Sequence, residues 1–148
     1  VEALTNEAMK NAVEDVYEEM DYVFMAAAVS DYKVKSVATE KIKKDGDTYQ
    51  LELVKDVDIL QGLGEKKSHQ VLIGFAAESS DLEKRAEEKR MKKHLDFICA
   101  NDISGGKVFG EDVNDVILYG PGDFKKNIGK RTKDETAEEI LTMVRIEE

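Results

Sequence analysis

Short apolar runs alternate with longer amphipathic stretches along this chain. Four runs are almost continuously apolar, as expected for strands that are buried on both faces of a sheet, and they span residues 22–29, 71–76, 97–100 and 116–119. The stretches beside them predict four helices, over residues 5–20, 56–67, 80–94 and 132–146. Short buried strands that alternate with helices indicate an α/β fold with a mainly parallel sheet flanked by helices.

Polar residues at the predicted helix starts support these boundaries. Ser80 and Glu83 have the spacing of a capping box, in which each side chain bonds the backbone N–H of the other residue. Thr132 and Glu135 have the same spacing. The short second helix is expected to begin at an acidic cap.

A helix, rather than a strand, opens the chain. Its apolar residues recur at intervals of three and four, and Thr5 or Asn6 is expected to cap it. A parallel-sheet domain normally begins with a strand, and its helices connect one strand to the next. The sequence also begins with Val1 rather than Met. We therefore expect a preceding strand to be missing and the chain to be a fragment.

One segment departs from the alternation and predicts a β-hairpin over about residues 40–54. Residues 48–54 alternate apolar and polar side chains, which is typical of a strand with one face in water. Asp45-Gly46-Asp47 supplies the turn, because an Asp-Gly pair tolerates the positive φ angles of a tight hairpin. This hairpin arm is expected to protrude from the main sheet, as a lid or as a dimer contact.

Composition and charge limit the class of protein. The 148 residues suit a single domain over 1–148, and an apolar content of 41% is enough for a packed core. No apolar run approaches the roughly 20 residues of a membrane-spanning helix. Because 32 acidic and 22 basic side chains give a net charge of −10, the chain is a poor candidate for binding nucleic acid. The single cysteine, Cys99, lies in a predicted strand and is expected to be a buried structural thiol.

Polar residues follow three of the predicted strands and predict a binding site. They are Ser30-Asp31, Glu78-Ser79-Ser80 and Asn101-Asp102. In open parallel sheets, ligands bind at the carboxyl ends of the strands. The alternative is that these residues form ordinary turns and helix caps.

Lysines are concentrated near these strand ends. Residues 31–44 carry a net charge of +3 and residues 78–94 a net charge of +1, within a chain of −10. This favours an anionic substrate, although a solvated charged face is the default interpretation. Lys89 and Lys93 lie within about 60° of Leu82 and Ala86 on a helical wheel. Either their ammonium groups reach past the core to water, or they point into the crevice and hold a phosphate or carboxylate.

Several kinds of site are excluded. The sequence has neither a G-x-x-x-x-G-K-[ST] loop nor a G-x-G-x-x-G fingerprint, and its two histidines lack a metal-ligand cluster or a nucleophile triad. We therefore expect no protein-held metal and no redox cofactor in this chain.

Four sequence blocks resemble phosphopantothenoylcysteine synthetase, the ligase domain of the bifunctional coenzyme A biosynthesis flavoprotein. They are AAAVSDYKVKSVATEKIKK at 26–44, VKDVDIL at 54–60, IGFAAES at 73–79 and KKHLDFICANDIS at 92–104. The resemblance implies a Rossmann-like sheet and a homodimer in the cytoplasm. It also implies that CTP, accompanied by Mg²⁺, activates 4′-phosphopantothenate as an acyl-cytidylate and releases pyrophosphate. The amine of L-cysteine then displaces CMP to form the amide.

The resemblance also assigns site residues. Lys41 matches the lysine on which activation depends, and Asp31 matches a nucleotide-contacting aspartate. Further nucleotide contacts are implied for Ala27, Val57, Asp58, Ile59, Leu60, Phe75, Lys89 and Lys93. The free N–H groups where 57–60 start a helix suit a triphosphate. Asn101 is expected only to shape the loop after its strand.

The family's first strand–loop–helix portion and its FMN-dependent decarboxylase half have no counterpart in this sequence. Two alternatives to the ligase therefore stay open: a nucleotide-binding and dimerisation module without turnover, and a regulatory protein–protein interaction domain. Pyrophosphate release from CTP separates the ligase from the module, and a CTP-induced rise in melting temperature separates both from the interaction domain.

Overall fold

The computed structural model describes residues 1–43, 46–103 and 113–146. Four helices are present in this part of the chain: α1 (Asn6–Tyr17), α2 (Ile59–Lys66), α3 (Leu82–Lys92) and α4 (Lys133–Ile146). Its seven strands are β1 (Tyr22–Met25), β2 (Tyr32–Val34), β3 (Leu53–Lys55), β4 (Val71–Glu78), β5 (Phe97–Asp102), β6 (Val113–Tyr119) and β7 (Lys125–Thr132).

The main sheet has five strands in the order β1-β4-β5-β6-β7. β1 pairs parallel with β4, and β4 pairs parallel with β5. β6 then runs against β5, and β7 against β6. The predicted α/β class, with a mainly parallel sheet, is confirmed. β7 was not predicted, and β1 ends at Met25 rather than continuing to residue 29.

Helices cover both faces of this sheet. On one face, α1, α2 and α3 pack their apolar side chains against alternate residues of β4 and β5, and this core includes Tyr17, Leu60, Leu63, Leu72, Ala86 and Ile98. On the other face, α4 packs against the remaining alternate residues, and that core includes Ile73, Phe97, Cys99, Leu118, Ile140 and Val144. The period of two along β4 and β5 thus divides their side chains between two cores.

Cys99 belongs to the core beneath α4. Burial raises the pKa of its thiol to about 12, so the thiolate form is scarce at neutral pH. The prediction of a buried structural thiol is confirmed.

Local capping bonds fix two of the helix starts as predicted. The Thr5 hydroxyl accepts a hydrogen bond from the Ala8 N–H at 3.1 Å. Thr132 and Glu135 form the predicted capping box, with the Glu135 carboxylate 2.9 Å from the Thr132 N–H and the Thr132 hydroxyl 3.3 Å from the Glu135 N–H. These side chains satisfy N–H groups that have no partner inside the helix.

The predicted capping box at Ser80 is wrong. Asp81 precedes α3 in the left-handed region, at φ 50°, and caps it with no side-chain hydrogen bond. The Glu83 carboxylate bonds Lys125 of β7 at 2.5 Å instead. A contact with a distant strand has therefore replaced the local bond that the spacing suggested.

The hairpin arm is confirmed, but its strand pairing differs from the prediction. β2 and β3 form a two-stranded antiparallel ladder in which Tyr32 pairs with Lys55 and Val34 with Leu53. Residues 40–43 and 48–52 form no strand, so the predicted pairing of 40–44 with 48–54 is wrong. Residues 44 and 45, which include part of the predicted turn, lie outside the described residues. Within those described residues, no helix has the length and apolar character needed to cross a bilayer.

Candidate functional site

Strand ends bring polar residues to one edge of the sheet. Because β1, β4 and β5 run parallel, their carboxyl ends lie at the same edge. Segment 26–31 leaves β1 there, Glu78 ends β4, and Asp102 ends β5. In the register of the sheet, Ala77 pairs with Asn101 and Glu78 with Asp102. The polar clusters after β4 and β5 are therefore neighbours, as predicted.

A mostly apolar cavity of about 770 Å³ lies on the face of the sheet that α4 covers. Segment 26–28 and the ends of β4 and β5 line it on one side, and Thr136 and Ile140 of α4 line it on the other. Two predicted site residues, Ala27 and Phe75, share this cavity. Phe75 is 42% exposed in a mostly buried strand, so its ring is accessible to a ligand.

Asn101 also lines this cavity, and its side-chain oxygen is unusual. The Oδ1 atom is buried and has no hydrogen-bond partner in the described part of the chain. A buried acceptor without a partner costs about 1–3 kcal/mol. A ligand with an N–H or O–H donor would remove that cost, so Asn101 joins the candidate site rather than only shaping a loop. Its position directly after the apolar run 97–100 was the signal available in the sequence.

Lys89 reaches the same edge from α3, on the opposite face of the sheet. Its Nζ lies 2.5 Å from the Glu78 Oε1, and the Arg85 Nη1 lies 3.7 Å from the Glu78 Oε2. The Glu78 side chain is only 8% exposed, whereas that of Lys89 is 49% exposed. A buried carboxylate thus anchors a cation that remains accessible to an anion.

Lys93 is anchored in a similar way, at the start of α2. Its Nζ lies 2.9 Å and 3.0 Å from the two carboxylate oxygens of Asp58. Asp58 also caps α2 by accepting the Gln61 N–H at 3.1 Å. Burial raises the pKa of Asp58, but the bonds from Lys93 and the Gln61 N–H outweigh it, so that the pKa lies below its ordinary value. Lys93 therefore faces a carboxylate and not only solvent.

The start of α2 offers fewer ligand contacts than its sequence suggested. Ile59 and Leu60 are 2% and 9% exposed and pack in the core with α1 and α3. Asp58 is the N-cap of α2, and its carboxylate already accepts a hydrogen bond from the Gln61 N–H, one of the N–H groups without a partner inside the helix. Within 57–60, ligand contacts are therefore expected from the backbone and from the Asp58 carboxylate.

Asp56 joins three segments near the root of the arm. Its carboxylate accepts hydrogen bonds from the Val57 N–H at 2.8 Å and from the Asn6 side chain of α1 at 2.9 Å. Lys33 of β2 lies 3.1 Å from the same carboxylate. The Val57 N–H and Lys33 together hold the pKa of Asp56 below its ordinary value. Asp31 lies beside this junction, since its carbonyl accepts the Asp56 N–H at 2.9 Å.

Lys41 is exposed in the segment between β2 and β3. It makes no hydrogen bond or ion pair with the described residues, and the structure does not bring it into contact with Lys89 or Lys93. Across residues 1–43, 46–103 and 113–146, no group of three or more His, Cys, Asp or Glu side chains is placed to hold a metal ion.

The predicted site residues therefore fall into three groups. Ala27 and Phe75 share the cavity on the α4 face. Residues 57–60 lie with Lys93 and Lys89 on the other face of the sheet. The arm carries Lys41, and Asp31 lies at the root of the arm. Their convergence on one bound ligand stays a prediction.

Comparison with known proteins identifies the family. Residues 1–146 match the model of the DNA/pantothenate metabolism flavoprotein C-terminal domain. The chain is 42% identical over 134 residues to the coenzyme A biosynthesis bifunctional protein CoaBC of Bacillus subtilis, covering 90% of this chain and 33% of that protein. It is 41% identical over 119 residues to CoaBC of Haemophilus influenzae, covering 80% and 30% respectively. The chain thus spans about a third of the length of the curated relatives it matches.

The fold agrees with this assignment. A crystal structure of the C-terminal domain of CoaBC superimposes with a TM-score of 0.80 at 34% sequence identity, covering 99% of this chain and 64% of that domain. The chain therefore belongs to the DNA/pantothenate metabolism flavoprotein C-terminal domain family.

Proposed function

We propose that this chain forms the nucleotide-binding part of a CTP-dependent phosphopantothenate–cysteine ligase in coenzyme A biosynthesis. The observation that carries the proposal is the 42% identity over 134 residues to the bifunctional coenzyme A biosynthesis protein of Bacillus subtilis. In the proposed reaction, CTP with its Mg²⁺ activates the carboxylate of 4′-phosphopantothenate as an acyl-cytidylate, and pyrophosphate leaves. The amine of L-cysteine then attacks the activated carbonyl, and CMP leaves as the amide forms.

The cavity at the carboxyl edge supports a nucleotide ligand. The exposed ring of Phe75 offers a flat surface against which a base can stack. The Oδ1 of Asn101 is a buried acceptor without a partner among the described residues. Rotation of the side chain would present it to a donor such as the exocyclic amine of cytosine or a ribose hydroxyl. Both residues line the same cavity as Ala27.

The anchored lysines support a triphosphate. Lys89 and Lys93 each contact a carboxylate and still expose part of their side chain, 49% and 25% respectively. Preorganised cations stabilise charge that develops on phosphate oxygens without first having to be ordered. Lys89 and Lys93 are four residues apart at the end of α3, about one helical turn, so two phosphates of one ligand could contact them together.

Lys41 is the proposed catalytic residue for activation. It lies in the arm, exposed and without a partner among the described residues, so its action requires that the arm close over bound substrate. Closure would bring its positive charge to the reacting carboxylate and exclude water.

Thermal unfolding with each nucleotide tests binding and base choice together. The chain is mixed with Mg²⁺ and CTP, ATP, GTP or UTP, and CTP is expected to raise the melting temperature most, because a ligand that binds only the folded state stabilises it. Pyrophosphate release from CTP in the presence of 4′-phosphopantothenate then tests turnover. If none of the four nucleotides raises the melting temperature, the proposal is wrong.

Substitution of Lys41 tests its role. Lys41→Gln is expected to lower pyrophosphate release at least about 100-fold, the effect of removing one preorganised charge-stabilising group, with no change in melting temperature. Lys43→Gln, two residues away in the same arm, is the matched control and is expected to retain the rate. An unchanged rate in Lys41→Gln would remove Lys41 from the mechanism.

A second candidate is a nucleotide-binding and dimerisation module without turnover. It is favoured by the fact that the chain covers 64% of the solved CoaBC C-terminal domain. Binding of CTP without pyrophosphate release would support it. A homodimer, a linked FMN-dependent decarboxylase domain and a cytoplasmic location also stay predictions; the word bifunctional in the relatives' names supports the linked domain.

A further inference from the structure

Glu78 is a carboxylate at the end of a strand that is otherwise almost entirely apolar. Its side chain is 8% exposed, and acidic side chains are almost never so buried without a partner. Its backbone is also fixed, because the Ile103 N–H bonds its carbonyl at 2.9 Å and the residue pairs with Asp102 in the sheet. The carboxylate therefore has little freedom to move.

Two cations from α3 lie over this carboxylate. Lys89 contacts one oxygen at 2.5 Å and Arg85 lies 3.7 Å from the other. The Arg85 and Lys89 side chains are each about half exposed, so Glu78 lies beneath them and solvent lies above. A shallow depression here is lined by Glu78, Arg85, Glu88, Lys89 and Lys92, which together carry a net charge of +1.

We propose that Glu78 is a positioning residue that holds Lys89, and with it Arg85, in the orientation needed to bind nucleotide phosphates. This inference rests on the proposed nucleotide-binding role of Lys89. A lysine has a flexible four-carbon stem and loses rotamer freedom when it binds an anion. Because Glu78 already restricts the stem, less freedom remains to be lost when the phosphates arrive.

The charge and the position of Glu78 predict opposite effects of Glu78→Gln on nucleotide affinity. The substitution removes a negative charge and raises the net charge of the cluster from +1 to +2, so attraction alone would tighten binding of an anion. Loss of positioning would weaken binding, because the amide holds the ammonium group less strongly than a carboxylate does. We expect the Kd of CTP with Mg²⁺, measured by titration calorimetry on the chain, to rise roughly 3- to 10-fold, in the lower part of the range of coupling between residues in contact, because the Lys89 side chain is about half exposed.

Glu83→Gln is the matched control. Glu83 lies on the same helix and also pairs with a lysine, Lys125, but its side chain is 62% exposed and the pair lies outside the Glu78 cluster. The control makes the same chemical change and is expected to leave the Kd unchanged. If both variants weaken binding equally, a general effect of replacing Glu by Gln on α3, and not the contact with Lys89, explains the result and the inference is wrong.

A double-mutant cycle separates positioning from a structural role. Lys89→Ala is expected to weaken CTP binding, and adding Glu78→Gln to it is expected to produce a much smaller further loss than in the unsubstituted chain, because only Arg85, 3.7 Å away, is then left for Glu78 to hold. An equal further loss in the Lys89→Ala background would show that Glu78 acts on the fold, and would overturn the inference. If Glu78→Gln does not fold, Glu78→Asp replaces it; its shorter side chain is expected to weaken binding in the same direction.

The outcomes also separate this inference from the proposed function. If the unsubstituted chain binds no CTP, or if Lys89→Ala leaves its Kd unchanged, the proposed nucleotide role fails and the inference fails with it. If Lys89→Ala weakens binding while Glu78→Gln leaves it unchanged or tightens it, only the positioning role of Glu78 is wrong.

Discussion

Two glycines of α2 should respond in opposite directions to the same substitution. A Cβ atom on Gly64 would lie 1.9 Å from the backbone oxygen of Lys93 and 3.4 Å from the His94 Cβ, whereas a Cβ on Gly62 would meet nothing within 4 Å. Gly64 therefore marks the place where α2 and the end of α3 approach most closely. Gly62 lies on the open side of the same helix.

The sizes of the two effects follow from this geometry. Real Cβ contacts stay at 3.0 Å or more, so Gly64→Ala requires the two segments to separate by about 1.1 Å. Overpacking of this kind costs about 1–3 kcal/mol, and we expect the upper half of that range because the opposing atom belongs to the backbone. The higher helix propensity of alanine offsets up to about 1 kcal/mol of this destabilisation. The net destabilisation is then about 1–2 kcal/mol, whereas Gly62→Ala should stabilise by about 0.5–1 kcal/mol.

Urea unfolding of the two variants measures the difference. With an m value of about 2 kcal/mol per molar, the midpoint should fall by about 0.5–1 M for Gly64→Ala and rise by about 0.2–0.5 M for Gly62→Ala. Gly64→Ala should also weaken CTP binding, because it displaces the backbone of Lys93, whose side chain is the proposed phosphate contact. Midpoints that change in the same direction for both variants would refute the close approach of α2 to Lys93.

Two further predictions concern Asp58 and Cys99. Asp58→Asn keeps a capping oxygen but removes the charge facing Lys93, so it should lower the urea midpoint at pH 7. Because the ion pair is partly exposed, the loss in the free energy of unfolding should be less than about 1 kcal/mol. The folded pKa of Asp58 lies below its ordinary value of 3.8, so this stability is present above that pH and is lost as the pH falls through the folded pKa. A difference between the two proteins that does not shrink as the pH is lowered below 3.8 would contradict the assignment. Because Cys99 is buried and its pKa is about 12, the folded chain should react with a disulfide reagent at pH 8 far more slowly than the chain in denaturant, and equal rates would contradict its burial.

The strands and helices that the sequence predicted correctly have strong apolar patterns. β4 and β5 are almost continuously apolar, and most of their residues are buried, so their pattern depends little on distant contacts. β7 carries one buried side chain, Ile128, among charged and polar residues, and it pairs through an irregularity at Gly129, where φ is +75°. No local pattern distinguishes such a strand from a loop.

The partners of the site residues depend on how elements pack. Lys89 and Glu78 are eleven residues apart and Lys93 and Asp58 thirty-five apart. The sequence placed both lysines on the inner side of α3 but gave no means of choosing their carboxylates. The arm shows the same limit, because an Asp-Gly pair predicted its turn, while the observed ladder lies nearer the main sheet. Directly beyond these two strands, Lys35 and Glu52 form an ion pair at 2.7 Å.

The three-way junction at Asp56 restricts how the arm can bend. Swinging the whole arm, Asp56 included, as a rigid body would break the bond between Asp56 and Asn6 of α1. It would also disturb the start of α2 through the Val57 N–H. Flexing farther out, beyond the paired residues of β2 and β3, would leave all of these bonds intact. Any approach of Lys41 to a substrate is therefore a movement of the outer part of the arm around a fixed base.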